Sequence, residues 1–120
     1  MIAHVVLFEP KPGLTDADRR GLLEGLKNVA RDVATVRRLR VGRRVRHGVP
    51  GYEQLMRDDY SFAAIIEFYT VDDLRAYLAH PAHERVGRHF SESSVRALAY
   101  DFRLVDAAGA AEEELLDNPV

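Results

Sequence analysis

The stretch "YSFAAIIEFYTVDDLRAYLAHPAHERVGRHFSESSVRALAYDFRLVD", residues 60–106, carries the pattern that decides the fold. Residues 60–69 are β-branched and aromatic. Phe62, Ala64, Ile66 and Phe68 fall on one face and Ala63, Ile65, Glu67 and Tyr69 on the other, the two-residue repeat of a strand. Thr70 then stands where a helix N-cap belongs, with Asp72 and Asp73 near the positive end of the helix dipole. Pro81 has no N–H to continue that helix but suits the first turn of a new one. The expected result is two offset helical pieces meeting at His80 and Pro81. A strand over 95–106 follows, with Leu98, Tyr100, Phe102 and Leu104 on one face.

Outward from this half, "IAHVVLFE" (2–9) reads as a first strand. Ile2, His4, Val6 and Phe8 share one face, and Ala3, Val5 and Leu7 the other. Thr15 is the expected N-cap of a helix whose Leu22, Leu23, Leu26, Val29, Ala30 and Val33 recur at three-and-four spacing. Gly21 and Gly25 each cost that helix about 1 kcal/mol against alanine. They either permit close packing on the sheet or simply weaken the helix. "VRRLRVGRRVRH" (36–47) alternates Leu39, Val41 and Val45 with Arg38, Arg40, Arg44 and Arg46, a strand with an arginine-lined outer face. The connection "GVPGYEQLMRDD" is long enough for a lid or binding loop, and Tyr52, Met56 and Tyr60 are placed either to close over an apolar ligand or to serve as ordinary loop anchors.

The order β-α-β-β-α-β is that of an α+β, ferredoxin-like four-stranded antiparallel sheet. Helices on one face leave the other bare, yet both faces of these strands are apolar. A second copy is the economical cover, which predicts a homodimer through the sheet face, a dimeric α/β barrel.

At 120 residues the chain fits one domain, expected over 1–106. An acidic tail, predicted to be mobile with a helical turn at 111–116, makes up 107–120. Cysteine is absent, which removes disulfides and thiol chemistry. No apolar run reaches the roughly 20 residues of a membrane span, and no signal-peptide pattern opens the chain, so a cytoplasmic location is expected. Fifteen of the 17 basic residues are arginine, six of them between Arg37 and Arg46. No aromatic residues interleave that ribbon for base stacking, and the net charge is −2, which argues against nucleic acid as a partner.

"IAHVVLFEPKPGLTDA", "VRRLRVGRRV" and "FYTVDDLRAYLAHPAH", taken in order with the closing "DF" strand, resemble the stress-responsive A/B barrel (Dabb) family. The resemblance implies a dimeric barrel with a pocket for a small hydrophobic or polyketide-like ligand in each protomer. Val6, Phe8, Tyr60, Phe62 and Phe90 are the residues expected to line it. One branch of the family, plant olivetolic acid cyclase, closes a linear poly-β-ketone by an intramolecular aldol reaction. The resemblance places its essential histidine, tyrosine and second histidine on His4, Tyr77 and His83. A further pocket histidine of that enzyme falls near Phe62, where this chain has no titratable group. Other members are stress proteins without an assigned reaction, so a non-enzymatic structural role stands beside the cyclase.

Aldol chemistry needs a base near neutral pH and a donor for the enolate oxygen. His83 is the candidate base, with Tyr77 and His4 as donating or orienting partners. A structural histidine on the apolar strand and a helix-end histidine are the alternatives for His4 and for His80. His80, His83, Glu84 and His89 match no zinc spacing, so no metal site is expected. No cofactor fingerprint is present, and any chemistry would rest on acid–base side chains alone.

Overall fold

The computed structural model describes residues 1–109 and Leu116. The elements run β1 (Ile2–Pro10), α1 (Asp16–Asp32), β2 (Arg38–Arg43), a 3-10 turn (Glu53–Leu55), β3 (Phe62–Phe68), α2 (Val71–Ala79), α3 (Pro81–Ser93) and β4 (Ser94–Arg103). The four strands form one antiparallel sheet in the order β2-β3-β1-β4. This is the ferredoxin-like arrangement, its second crossover divided into two helices. The acidic tail expected beyond residue 106, with its helical turn at 111–116, lies outside the described residues except for 107–109 and Leu116.

The caps set the helix starts. Thr15 accepts from the Asp18 N–H and Asp18 returns a bond to the Thr15 N–H, both at 3.1 Å, a reciprocal capping box. Thr70 accepts from the Asp73 N–H at 3.1 Å. His80 ends α2 and begins α3: its Nδ1 accepts from the Ala82 N–H at 3.0 Å, and Pro81 takes the first helical position.

Core packing follows the strand alternation. Ile2, Phe8, Ala64, Ile66 and Phe68 point toward the helices, where Leu22, Leu26, Val29, Leu74, Tyr77, Val86 and Phe90 meet them. Phe68 and Val29 are wholly buried. The other face carries Val5, Leu7, Ala63, Ile65 and Leu98, with Tyr100 and Phe102 more than half or half exposed, and among the described residues no helix of the α1–α3 layer covers it.

Two expectations are adjusted. The strand predicted over 36–47 ends at Arg43, because Arg43 pairs with Phe62, the first residue of β3. One more bond, Arg44 N–H to the Ser61 carbonyl, follows, and Val45 then stands 77% exposed. The α1 glycines pack against α3 rather than the sheet. A Cβ on Gly21 would lie 2.8 Å from the His89 ring, and one on Gly25 3.1 Å from Val86.

Candidate functional site

His4 points from β1 toward the helices and is buried. Directly opposite it in the β1–β4 register is Asp101, whose carboxylate accepts from His4 Nδ1–H at 2.6 Å. A carboxylate can only accept here, so the proton sits on Nδ1 and the ring orientation is fixed.

Tyr77 descends from α2 onto this pair. Its ring meets His4 edge-on at 5.6 Å, His83 at 4.7 Å and Phe68 at 5.3 Å between centroids. It is 2% exposed, and its hydroxyl has no hydrogen-bond partner among the described residues. Buried tyrosines usually find one, so this hydroxyl is available to a guest. Burial, aided by the negative charge of Asp101, pushes its pKa up to about 12. It is a neutral O–H donor at physiological pH.

His83 occupies the first turn of α3. The last carbonyls of α2 have no intrahelical donor, and the Leu78 carbonyl is taken by His83 Nδ1 at 3.0 Å. A carbonyl cannot donate, so Nδ1 carries the proton and Nε2 holds the lone pair. Burial lowers the His83 pKa; the Leu78 bond opposes this, and the nearby His4 adds a smaller push downward. The unprotonated ring is therefore favoured at neutral pH, the state a general base requires.

All three side chains line one cavity of about 420 Å³. It forms because the helices leave the β4 edge of their face of the sheet open, so that Ala97 and Ala99 are exposed although they point toward the helical layer. Val6, Ala64, Ile66 and Phe90 supply an apolar wall. Of the expected pocket residues, Val6 and Phe90 line this cavity. Phe8 and Phe62 stack at 5.5 Å and border a separate cleft of about 320 Å³, with Phe90 reaching both. Tyr60 lies elsewhere, with Tyr52, Met56 and Leu7 around a depression of about 220 Å³.

Asp101 is the member that the sequence reading missed. The signal was present: it has the opposite parity to Leu98, Tyr100 and Phe102, an acid on the helix-facing side of an apolar strand. Only the β1–β4 register shows that it meets His4.

The remaining histidines have local places: His80 is the cap between α2 and α3, His89 lies against Gly21, and His47 Nδ1 accepts from the Val49 N–H at 3.0 Å. Among the described residues no three histidine or acidic side chains gather where a metal ion could be held, and no helix is long and apolar enough to cross a membrane. The arginine ribbon is divided: Arg37 stacks on Tyr69, Arg40 pairs with Glu67 at 3.1 Å, and Arg44 and Arg46 share Asp59.

The model of the stress responsive A/B barrel domain (Dabb) matches residues 2–104. The chain belongs to the Dabb family. Among solved structures, this Dabb protein is similar to a protein from Arabidopsis thaliana at 21% identity, covering 89% of this chain and 98% of that one, with a TM-score of 0.74. A Dabb protein from Mesorhizobium loti with a ferredoxin-like fold is 20% identical, with 88% and 97% covered and a TM-score of 0.67. A hydroxynitrile lyase from Passiflora edulis is 14% identical, with 88% and 94% covered and a TM-score of 0.73. At these identities the likeness establishes a common fold. No curated protein sequence matches the chain.

Proposed function

We propose that this Dabb protein is a homodimer whose α3–β4 cavity takes a small hydrophobic, carbonyl-bearing ligand of polyketide type and performs cofactor-independent acid–base chemistry on it. The observation that carries the reading is the meeting, in one apolar cavity, of His83 with a free Nε2 lone pair and Tyr77 with a neutral, unpartnered hydroxyl. His4, held by Asp101, stands behind them. The folded domain in this reading is 1–106, and 107–120 is an appended acidic tail.

For an aldol cyclisation the steps balance within these groups. His83 Nε2 removes a proton from the carbon beside a carbonyl, and the Tyr77 hydroxyl donates to the enolate oxygen. The enolate carbon attacks a second carbonyl of the same chain. The resulting alkoxide takes the proton back from the His83 imidazolium. General acid–base catalysis by such a histidine contributes on the order of 10²–10⁴ in rate. Asp101 is a positioning residue that holds His4 in one tautomer.

The fold shared with the Passiflora edulis hydroxynitrile lyase adds a second substrate class. Cleaving a hydroxynitrile makes the same demand, a base for the hydroxyl proton while the carbon–carbon bond breaks. Self-association rests on the bare apolar sheet face, and a similar fold from Thermobifida fusca is described as dimeric.

The test is to incubate a linear poly-β-ketone and, separately, mandelonitrile with wild type, His83→Ala and Tyr77→Phe. Wild type should accelerate one of the two reactions, and His83→Ala should lose about 10²–10⁴ of that rate. Identical product profiles from wild type and His83→Ala would sink the acid–base reading.

A further inference from the structure

We propose a second binding site, for an amphipathic anion, in the cleft between α1 and the β2–β3 side of the sheet. Its ligand would have an apolar tail and a carboxylate or phosphate head. It lies beside the His83 cavity, with Leu26 and Phe90 bordering both, and is independent of the catalytic reading.

The sheet face under the helices is incompletely covered at its β2 edge. Val41 points to that face, because it pairs with Ala64, yet it is 45% exposed, and Leu23 on α1 above it is also 45% exposed. Between them lies the cleft of about 320 Å³, bordered by Phe8, Leu22, Leu26, Phe62 and Phe90 as well. This is the lower end of the size range of small-molecule sites, and its walls are of the apolar and aromatic kind that such sites use.

The cleft does not end in apolar surface. Arg19 and Arg43 stand among its lining residues, and both also line an adjoining polar basin of about 490 Å³. Pro10 and Phe62 border both spaces too, so the two adjoin. The basin is lined by six cations, Lys11, Arg19, Arg43, Arg44, Arg46 and Arg96, and by two carboxylates, Glu9 and Asp59. Both carboxylates are already engaged: Asp59 by Arg44 and Arg46, Glu9 by the Ser61 N–H at 2.7 Å. Lys11, Arg19 and Arg43 have no carboxylate partner among the described residues. The Nε of Arg96 is buried without a hydrogen-bond partner. Cations left uncompensated at the mouth of an apolar slot define a ligand with the opposite charge at one end. Guanidinium groups suit carboxylate and phosphate because they offer paired N–H donors in one plane.

The bare sheet face is on the opposite side, so a homodimer formed there leaves this cleft accessible. Calorimetric titration with decanoate and decyl phosphate tests the site, with decanol and acetate as the tail-only and head-only probes. Decanoate or decyl phosphate should bind at least tenfold more tightly than decanol and than acetate, and added salt should weaken the binding. The double variant Arg19→Gln, Arg43→Gln should lose about tenfold or more in affinity. Both side chains are exposed, so its melting temperature should stay at the wild-type value. His83→Ala should bind the probe as wild type does. Equal affinity for decanol and decanoate, equal affinity for acetate, or no response to the double substitution would each overturn the proposal. A loss confined to His83→Ala would place the ligand in the other cavity and overturn it as well.

Discussion

Burial disfavours the charged form of both His83 and Tyr77, but the two groups lose stability at opposite ends of the pH scale. His83 titrates below its ordinary value near 6.5 when folded, so the unfolded chain binds the proton more readily in that window. Its contribution to stability is fully present above pH 6.5 and is lost as pH falls through the folded value. Tyr77 is raised from 10 to about 12, so its contribution is complete below pH 10 and is lost as pH rises through about 12. Two measurements follow. Urea unfolding on either side of pH 6.5 should show an acid-side loss that His83→Gln reduces. Spectroscopic titration of phenolate should contain a late step near pH 12 that disappears in Tyr77→Phe. If the late step survives that substitution, the burial assigned to Tyr77 is wrong. His4, Tyr77 and His83 could be picked out from residue chemistry and family likeness. Asp101 could not, because its partner is 97 positions away and is fixed by strand register.

Helix α1 shows how far a linear pattern reaches. Its apolar spacing and its Thr15 cap are local properties and were readable, as was the break at Pro81. The partner of its glycine face was not, since spacing says which residues are small but not what approaches them. Gly25 and Gly87 make the contrast testable. Alanine at Gly25 gains about 1 kcal/mol of helix propensity but forces Val86, a stiff β-branched and buried neighbour at 3.1 Å, to move. Overpacking costs about 1–3 kcal/mol, so Gly25→Ala should be neutral to about 2 kcal/mol destabilising in denaturant unfolding. Gly87 in α3 has nothing within 4 Å of an added Cβ, and Gly87→Ala should stabilise by about 0.5–1 kcal/mol. A more stable Gly25→Ala protein would show that α1 and α3 are less closely apposed than the structure has them. The strand ends were less legible for a related reason: β2 stops where β3 stops offering partners, and alternation through Val45 carries no information about that.

The sheet face left open by the described helices is what supports the proposed self-association. Val5, Leu7, Ala63, Ile65 and Leu98 form a contiguous apolar surface flanked by Tyr100 and Phe102, with the Arg40–Glu67 ion pair beside them. A specific dimer interface removes roughly 1,600 Å² from water, and apolar area is worth about 25 cal/mol per Å² before the cost of association. In the proposed dimer a second copy would take this face out of water. Ile65 sits mid-strand between Val5 and Arg40, so Ile65→Glu would put a second carboxylate beside an Arg40 already paired with Glu67, an excess negative charge inside the dimer, where desolvation costs several kcal/mol. The same charge at Val41, on β2 three strands from β4 and on the helix-facing side, stays outside that interface. Sedimentation should give a dimer for wild type and Val41→Glu and a monomer for Ile65→Glu, with circular dichroism confirming that all three are folded. Val41→Glu should at the same time lose decanoate binding, because its carboxylate enters the cleft meant for an apolar tail. A monomeric wild type, or an Ile65→Glu protein that stays dimeric, would remove the sheet face as the interface.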